Sequence, residues 1–234
     1  MSLLIYTTDA SADLVDYIDS YIAAVPSLGT PGRYGSFNPT TAPYDQWYQG
    51  NNSSAYTAVL DGDFTSYTQG NLTGTADTFE FGYGLTSSGG LYSVTEVELT
   101  FDFRDLNVNP QDSFDYLVYG FVSANSSYVY DYFDDVGTIQ VGTSANNTLA
   151  GFDSTDYFYF EANWGTDVIN DFTDGEDYIV LDSDVWANFA AFDAVADISG
   201  NTVTLGGNTI TLAGFAGSLT SADFQFVADP STIA

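Results

Sequence analysis

The residues of this chain that can do chemistry are carboxylates and phenols. The segment GTDVINDFTDGEDYIVL carries Asp167, Asp171, Asp174 and Asp177 with no cation among them, and FDSTDYFYF just upstream carries Asp153 and Asp156. Carboxylates crowded without counter-charge raise one another's pKa and disfavour the fold. A calcium ion takes roughly six to eight oxygen ligands on tight turns and would remove that cost. These six aspartates are therefore candidate calcium ligands, with Asp156, Asp167, Asp171 and Asp177 foremost. Asp, Asn and Gly also favour turns for reasons unrelated to metal, so a purely structural role is the competing reading.

Composition narrows the remaining chemistry. The 234 residues hold 32 Asp and Glu against 2 Lys and Arg, a net charge of -30. The two cations are Arg33 and Arg104. Such a charge opposes compaction and calls for divalent cations, ambient salt or a cationic partner. It argues against nucleic acid, whose phosphates need Lys and Arg, and against anionic membrane surfaces. There is no cysteine and no histidine. Disulfides, thiolate nucleophiles and Ser-His-Asp catalysis are excluded, and no catalytic motif is present. Carboxylate-only hydrolysis of glycosides stays open. The opening MSLLIYTT has no basic region and no long apolar core, so it does not read as a signal peptide. No apolar run is long enough to span a membrane.

The elements that must position these residues read as follows. Residues 10–25 place Leu14, Val15, Ile18, Tyr21 and Ile22 at helical spacing, with Asp9 or Ser11 as cap and Pro26 as stop. Residues 27–54, rich in Gly, Pro, Asn and Tyr, read as a long loop. Residues 55–108 alternate as strands. Pro110 opens a helix carrying Phe114, Leu117, Val118, Phe121 and Val122, and a second helix carries Tyr128, Val129, Tyr132 and Phe133. A short helix is expected near 184–197. Strands NTVTL and NTITL then meet through a Gly-Gly turn. The texture changes near Asp134–Gly137, which sets expected domains at 1–135 and 136–234.

The second half resembles the calcium-binding, type I secretion module of RTX and serralysin-like proteins. GTSANNTLAG is similar to a degraded copy of the G-G-x-G-x-D-x-U-x repeat, with Asn147 at the Asp position and Leu149 at the apolar one. FDSTDYFYF is similar to the next copy, with Asp156 and Phe158 in those roles. GTDVINDFTDGEDYIVL closely resembles the G-x-D-x-I-x-D-F-x-x-G-x-D-x-I-x-L ending of that family, and NTVTLGGNTITLAG and LTSADFQF match the same ending. The resemblance covers 137–226 and implies calcium as cofactor, a β-rich roll or sandwich, and export through a type I machinery. The tail FVADPSTIA looks like the family's uncleaved secretion signal. Extracellular or cell-surface localisation follows from the resemblance.

The first half, over roughly 5–133, resembles the HasA-type hemophores. FGYGLTSSGGLYSVTEVELTFDFRDLNV, DYLVYGFVSANSSYVYDYF and the strand AYTAVLDGDFTSYT carry the likeness. It implies an α+β fold, a curved antiparallel sheet with helices on one face. That family holds heme iron between two loops, one usually giving a histidine and the other a tyrosine. Here the first loop, GTPGRYGSFNP, offers Tyr34. The second offers Ser66 by strict alternation, or Tyr67 if the register slips by one residue. Tyrosinate can ligate heme iron, so a tyrosine-only site is the form heme capture would take.

Tyr34, Tyr44, Trp47 and Tyr48 also crowd one polar stretch. Tyr and Trp are enriched at interfaces, so these four are candidate contacts for a partner, a sugar or further copies of the chain. The leading expectation is a secreted, calcium-dependent, non-enzymatic protein that self-associates into a surface layer, fibre or matrix. Heme capture through tyrosine is the alternative, and a carbohydrate-binding or carboxylate-based glycosidase role is the third.

Overall fold

The computed structural model describes residues 2–28, 32–50, 56–68, 71–104 and 114–233. The chain divides into two compact units, Ile18–Tyr132 and a second that joins Met1–Tyr17 to Phe133–Ala234. The expected cut near 135 thus has a counterpart close by, but the first seventeen residues belong with the C-terminal half. The reason is strand pairing. Strand β1 (Leu3–Thr7) runs parallel to a strand beginning at Thr138, with Leu4 beside Ile139.

The unit 18–132 is built on an antiparallel sheet of β2 (Ser36–Asn38), β3 (Tyr44–Gln49), β4 (Thr57–Thr68), β5 (Asn71–Ser88) and β6 (Leu91–Asp102), paired in chain order. Register shifts at Asp61/Gly62, Phe64/Ser66 and Phe81/Gly82 interrupt the long strands. Bulges of this kind bend a sheet and increase its twist. Helix α1 (Leu14–Ala24) begins where Asp13 Oδ1 accepts the Asp16 N–H at 3.0 Å, a cap two residues later than Ser11 and four later than Asp9. Helices α2 (Phe114–Ser123) and α3 (Ser127–Val136) follow the sheet. Pro110, expected to open α2, lies outside the described residues.

Phe79 and Phe81 are two apart on β5 and so share a face. Tyr21 of α1 meets Phe81 edge-on at 5.3 Å, and Phe121 of α2 lies 4.6 Å from Phe81 and 5.4 Å from Phe79. Aromatic pairs in these arrangements contribute beyond simple area burial. Helices therefore cover that face of the sheet through an aromatic core, which is the α+β architecture expected. The stretch 27–54 is not one loop, because β2 and β3 lie within it. Its alternation is carried by Gln46 and Tyr48 on one face and Trp47 and Gln49 on the other, polar enough to read as coil.

The other unit is a roll. After β7 (Thr138–Val141), the strands β8 (Thr148–Ala150), β9 (Tyr157–Phe160), β10 (Thr166–Asn170) and β11 (Tyr178–Asp182) alternate between two sheets. The short helix α4 (Phe189–Asp193), β12 (Asp197–Ser199), β13 (Thr202–Leu205), β14 (Asn208–Ala213) and β15 (Phe224–Val227) complete it. One sheet pairs β1, β7, β9, β11 and β15 in parallel. The other pairs β8, β10 and β14 in parallel, then β13 and β12 antiparallel. Gly206 and Gly207, at φ 58° and 102°, make the β13–β14 turn. These left-handed values suit glycine.

Leu149 and Ile169 of one sheet share a cluster with Phe158, Phe160, Ile179 and Leu181 of the other. The helix expected over 184–197 is confined to α4. No helix among the described residues is long and apolar enough to cross a membrane. Phe158 has no exposed surface, so Phe158→Ala is expected to lower the unfolding free energy by about 3–5 kcal/mol. Urea denaturation followed by tryptophan fluorescence measures this, and a loss under about 1 kcal/mol contradicts the described core.

Candidate functional site

The six aspartates singled out as calcium ligands fall into two groups. Asp153, Asp171 and Asp174 are exposed turn residues. Asp156, Asp167 and Asp177 are fully buried, and their oxygens face backbone donors. Thr138 donates its N–H and hydroxyl to Asp156 Oδ1 at 2.7 and 2.6 Å, and the Phe152 N–H donates to Oδ2 at 2.5 Å. The Asp156 N–H donates to Asp177 Oδ1 at 2.9 Å, while the Thr173 N–H donates to Oδ2 at 2.8 Å. Each carboxylate thus closes its own turn with one oxygen and ties the preceding coil with the other. In the second sheet the Asn147 N–H donates to Asp167 Oδ1 at 2.6 Å, and Asn147 Oδ1 accepts the Thr143 N–H at 2.9 Å.

This arrangement does not fit calcium. The oxygens of Asp156 and Asp177 are used by the fold, and no group of three or more acidic side chains that could hold a metal ion occurs among the described residues. The residues that resembled a calcium repeat are placed as the coil-to-coil ties of the roll. Leu149 and Phe158, the matching apolar positions, fill its interior.

Burial pushes the Asp156 carboxyl up to about 7, against the lowering effect of its Thr138 and Phe152 donors and with a further upward push from Asp177. Burial likewise raises Asp167 to about 7 and Asp177 to about 6. Asp167 Oδ2 is buried with no partner among the described residues. A carboxyl whose folded pKa lies above its unfolded value near 3.9 favours the fold below that value. The contribution is lost as pH rises through about 6 to 7. Melting temperature is therefore expected to be higher at pH 5 than at pH 8, by roughly 5 °C or more. Asp167→Asn is expected to raise the pH 8 melting temperature and shrink that difference. Scanning calorimetry at both pH values checks this, and a wild-type protein that melts higher at pH 8 contradicts it.

The aromatic candidates assemble differently. The unit 18–132 contains a cavity of about 250 Å³ lined by Tyr34, Gly35, Phe37, Trp47, Tyr67, Asn71, Leu72, Asp115, Val118, Tyr119 and Val122. Tyr34 and Tyr67, drawn from two separate loops in the sequence, both line it. Ser66 does not, and instead its Oγ shares a hydrogen bond with Thr73 Oγ1 at 2.7 Å. The pairing of β4 with β5 shifts register between Phe64 and Ser66, just before Tyr67. Tyr34 is 54% and Tyr67 46% exposed, so both phenols are reachable. Phe37 packs 4.9 Å from Tyr67 and 4.5 Å from Tyr44.

The four expected interface residues are not one exposed patch. Trp47 is only 3% exposed and meets Phe79 edge-on at 5.9 Å. Tyr48, its neighbour on β3, points the other way and stacks on Tyr92 at 3.9 Å. Strand alternation separates them. Gly35 sits at φ 69°, and a Cβ there would come 2.4 Å from the Trp47 ring. Backbone and indole therefore meet with no room for a side chain, which fixes Tyr34 beside the cavity wall. A buried chain of hydrogen bonds fixes it from the other side. Tyr21 Oη donates to Gln49 Oε1 at 3.2 Å, and Gln49 Nε2 donates to the Arg33 carbonyl at 2.6 Å. Burial also raises the Asp115 carboxyl above its ordinary value. Asp115, Val118 and Tyr119 of α2 were not flagged in the sequence as site residues. Their spacing along one side of the helix was the available signal.

No family model and no curated protein sequence matches this chain. Among solved structures, the holo hemophore HasA from Yersinia pestis aligns with a TM-score of 0.46 at 18% identity, over 59% of this chain and 98% of its own. An apo form of the same Yersinia pestis hemophore aligns at 0.46 and 19%, over 58% and 88%.

Proposed function

We propose that this protein captures heme outside the cell, with Tyr34 and Tyr67 as the residues that hold the iron. The observation that carries the reading is the convergence of these two phenols on one cavity. The donor set fits the group. Heme iron accepts tyrosinate oxygen, and Phe37, Trp47, Leu72, Val118 and Val122 offer an apolar wall to a flat macrocycle. The cavity is small against the about 300–1,000 Å³ of enclosed ligand sites. A porphyrin here would be clasped at one edge, with the remainder in solvent. The heme supplies the iron, the Lewis acid that phenol oxygens bind. The chain supplies orientation, through Gly35 against Trp47 and the Tyr21–Gln49–Arg33 hydrogen bonds.

The extracellular part of the reading draws on the resemblance of 137–226 to type I exported proteins and on the parallel roll found there. The leading expectation of a calcium-dependent surface or matrix subunit is set aside, since the three buried aspartates among its candidate ligands accept backbone hydrogen bonds. Hemin titration of the purified protein is expected to give a Soret band that saturates at one equivalent. Tyr34→Phe and Tyr67→Phe are each expected to weaken it, and the double variant to abolish it. An unchanged hemin spectrum at stoichiometric protein ends the proposal.

A further inference from the structure

We infer that Arg33 is the anchor for a carboxylate on the ligand of the tyrosine cavity, so that the site selects acidic porphyrins over their esters. The inference rests on the heme-capture reading and adds the ligand's charged substituent to it. It begins from the scarcity of cations. Only Arg33 and Arg104 are basic, and Arg104 is already taken by Asp102. Arg104 Nε donates to Asp102 Oδ1 at 2.9 Å, and Nη2 to Oδ2. Arg33 makes no ion pair with any described residue. In a chain with 32 Asp and Glu residues, a guanidinium that pairs with none of the described ones is one kept for something else.

Its position says what. The Arg33 guanidinium carbon lies 5.5 Å from the centre of the Tyr34 ring, and Tyr34 lines the cavity. Cation–π contact of this kind orients the planar head group but satisfies none of its N–H donors. Arg33 Nε is buried with no partner among the described residues, and a buried donor left unpaired is costly. The backbone at Arg33 is held by the bond from Gln49 Nε2 to its carbonyl, and Gly35 and Gly50 N–H groups both donate to the Gly32 carbonyl. The guanidinium is thus presented from a fixed turn beside the cavity rather than swinging on a loose loop. A planar fork whose buried Nε has no acceptor among the described residues, set over the cavity-lining Tyr34, matches a carboxylate. The surrounding charge of -30 sharpens the requirement. An acidic ligand approaching this protein is repelled unless one local cation offsets that field.

The test titrates hemin and hemin dimethyl ester, in the same mixed solvent, into wild-type, Arg33→Gln and Arg33→Lys protein. Soret absorbance is the readout. Wild type is expected to bind hemin roughly tenfold or more tighter than the ester. Arg33→Gln is expected to lose that preference by weakening hemin several-fold more than the ester, and Arg33→Lys to recover part of it. Equal hemin affinity for wild type and Arg33→Gln, or equal loss of both ligands in that variant, overturns the role of Arg33 while heme capture stands. Should Arg33→Gln fail to fold, the hemin-to-ester ratio of wild type decides alone, and a ratio near one overturns the inference. If wild type binds neither, heme capture fails and this inference falls with it.

Discussion

With 32 acidic side chains and two basic ones, this protein cannot satisfy its carboxylates by ion pairing. Those that leave water must find neutral donors or take up a proton. The roll uses the first answer, and the backbone is its donor. Asp156 and Asp177 each accept N–H groups from two neighbouring coils. A buried carboxylate bonded in this way has little remaining capacity for a metal. Burial still holds both groups above their ordinary range, because the cost of removing a charge from water outweighs hydrogen bonds that themselves favour the ionised form. Asp102 is the opposite case. Burial works to raise it, but the Arg104 guanidinium and N–H outweigh that effect and hold it low.

The sheet-and-helix unit solves a different problem, how to leave an opening in an aromatic core. Tyr21, Phe79, Phe81 and Phe121 pack edge to face and are buried. Trp47 continues that layer to the cavity and stops there against Gly35, where the missing Cβ lets backbone approach the indole. The opening is therefore bounded by a rigid floor and by two reachable phenols. Dense packing on one side and exposure on the other would let the proposed flat ligand rest against a rigid wall.

Much of this was legible in the residues, and the exceptions have physical causes. The three long strands over 55–108 and the helices carrying Phe121 and Phe133 follow from periodicity alone. Strands β2 and β3 escaped notice because Gln46 and Gln49, on opposite faces of β3, occupy buried positions usually held by apolar side chains, and both are buried through hydrogen bonds instead. The pairing of β1 with β7 joins residues far apart in sequence, which no local pattern encodes. The aspartates of the roll were found by their spacing, but spacing does not distinguish a carboxylate that faces an ion from one that faces a backbone N–H. Strict alternation pointed to Ser66 rather than Tyr67, and the register shift after Phe64 that interrupts the alternation there is a property of strand pairing.

The same shortage of cations bears on the proposed ligand. A cleft of Phe, Trp, Leu and Val side chains recognises flatness and apolarity, and many aromatic molecules have both. Phenol oxygens add a preference for a metal that accepts hard oxygen donors. Neither feature favours a charged molecule, and the field of the whole chain works against an anion. Selectivity for an acidic ligand must therefore come from a local donor, since the global charge has the wrong sign. Because Arg104 is engaged by Asp102, the only guanidinium left to supply it is the one stacked on Tyr34.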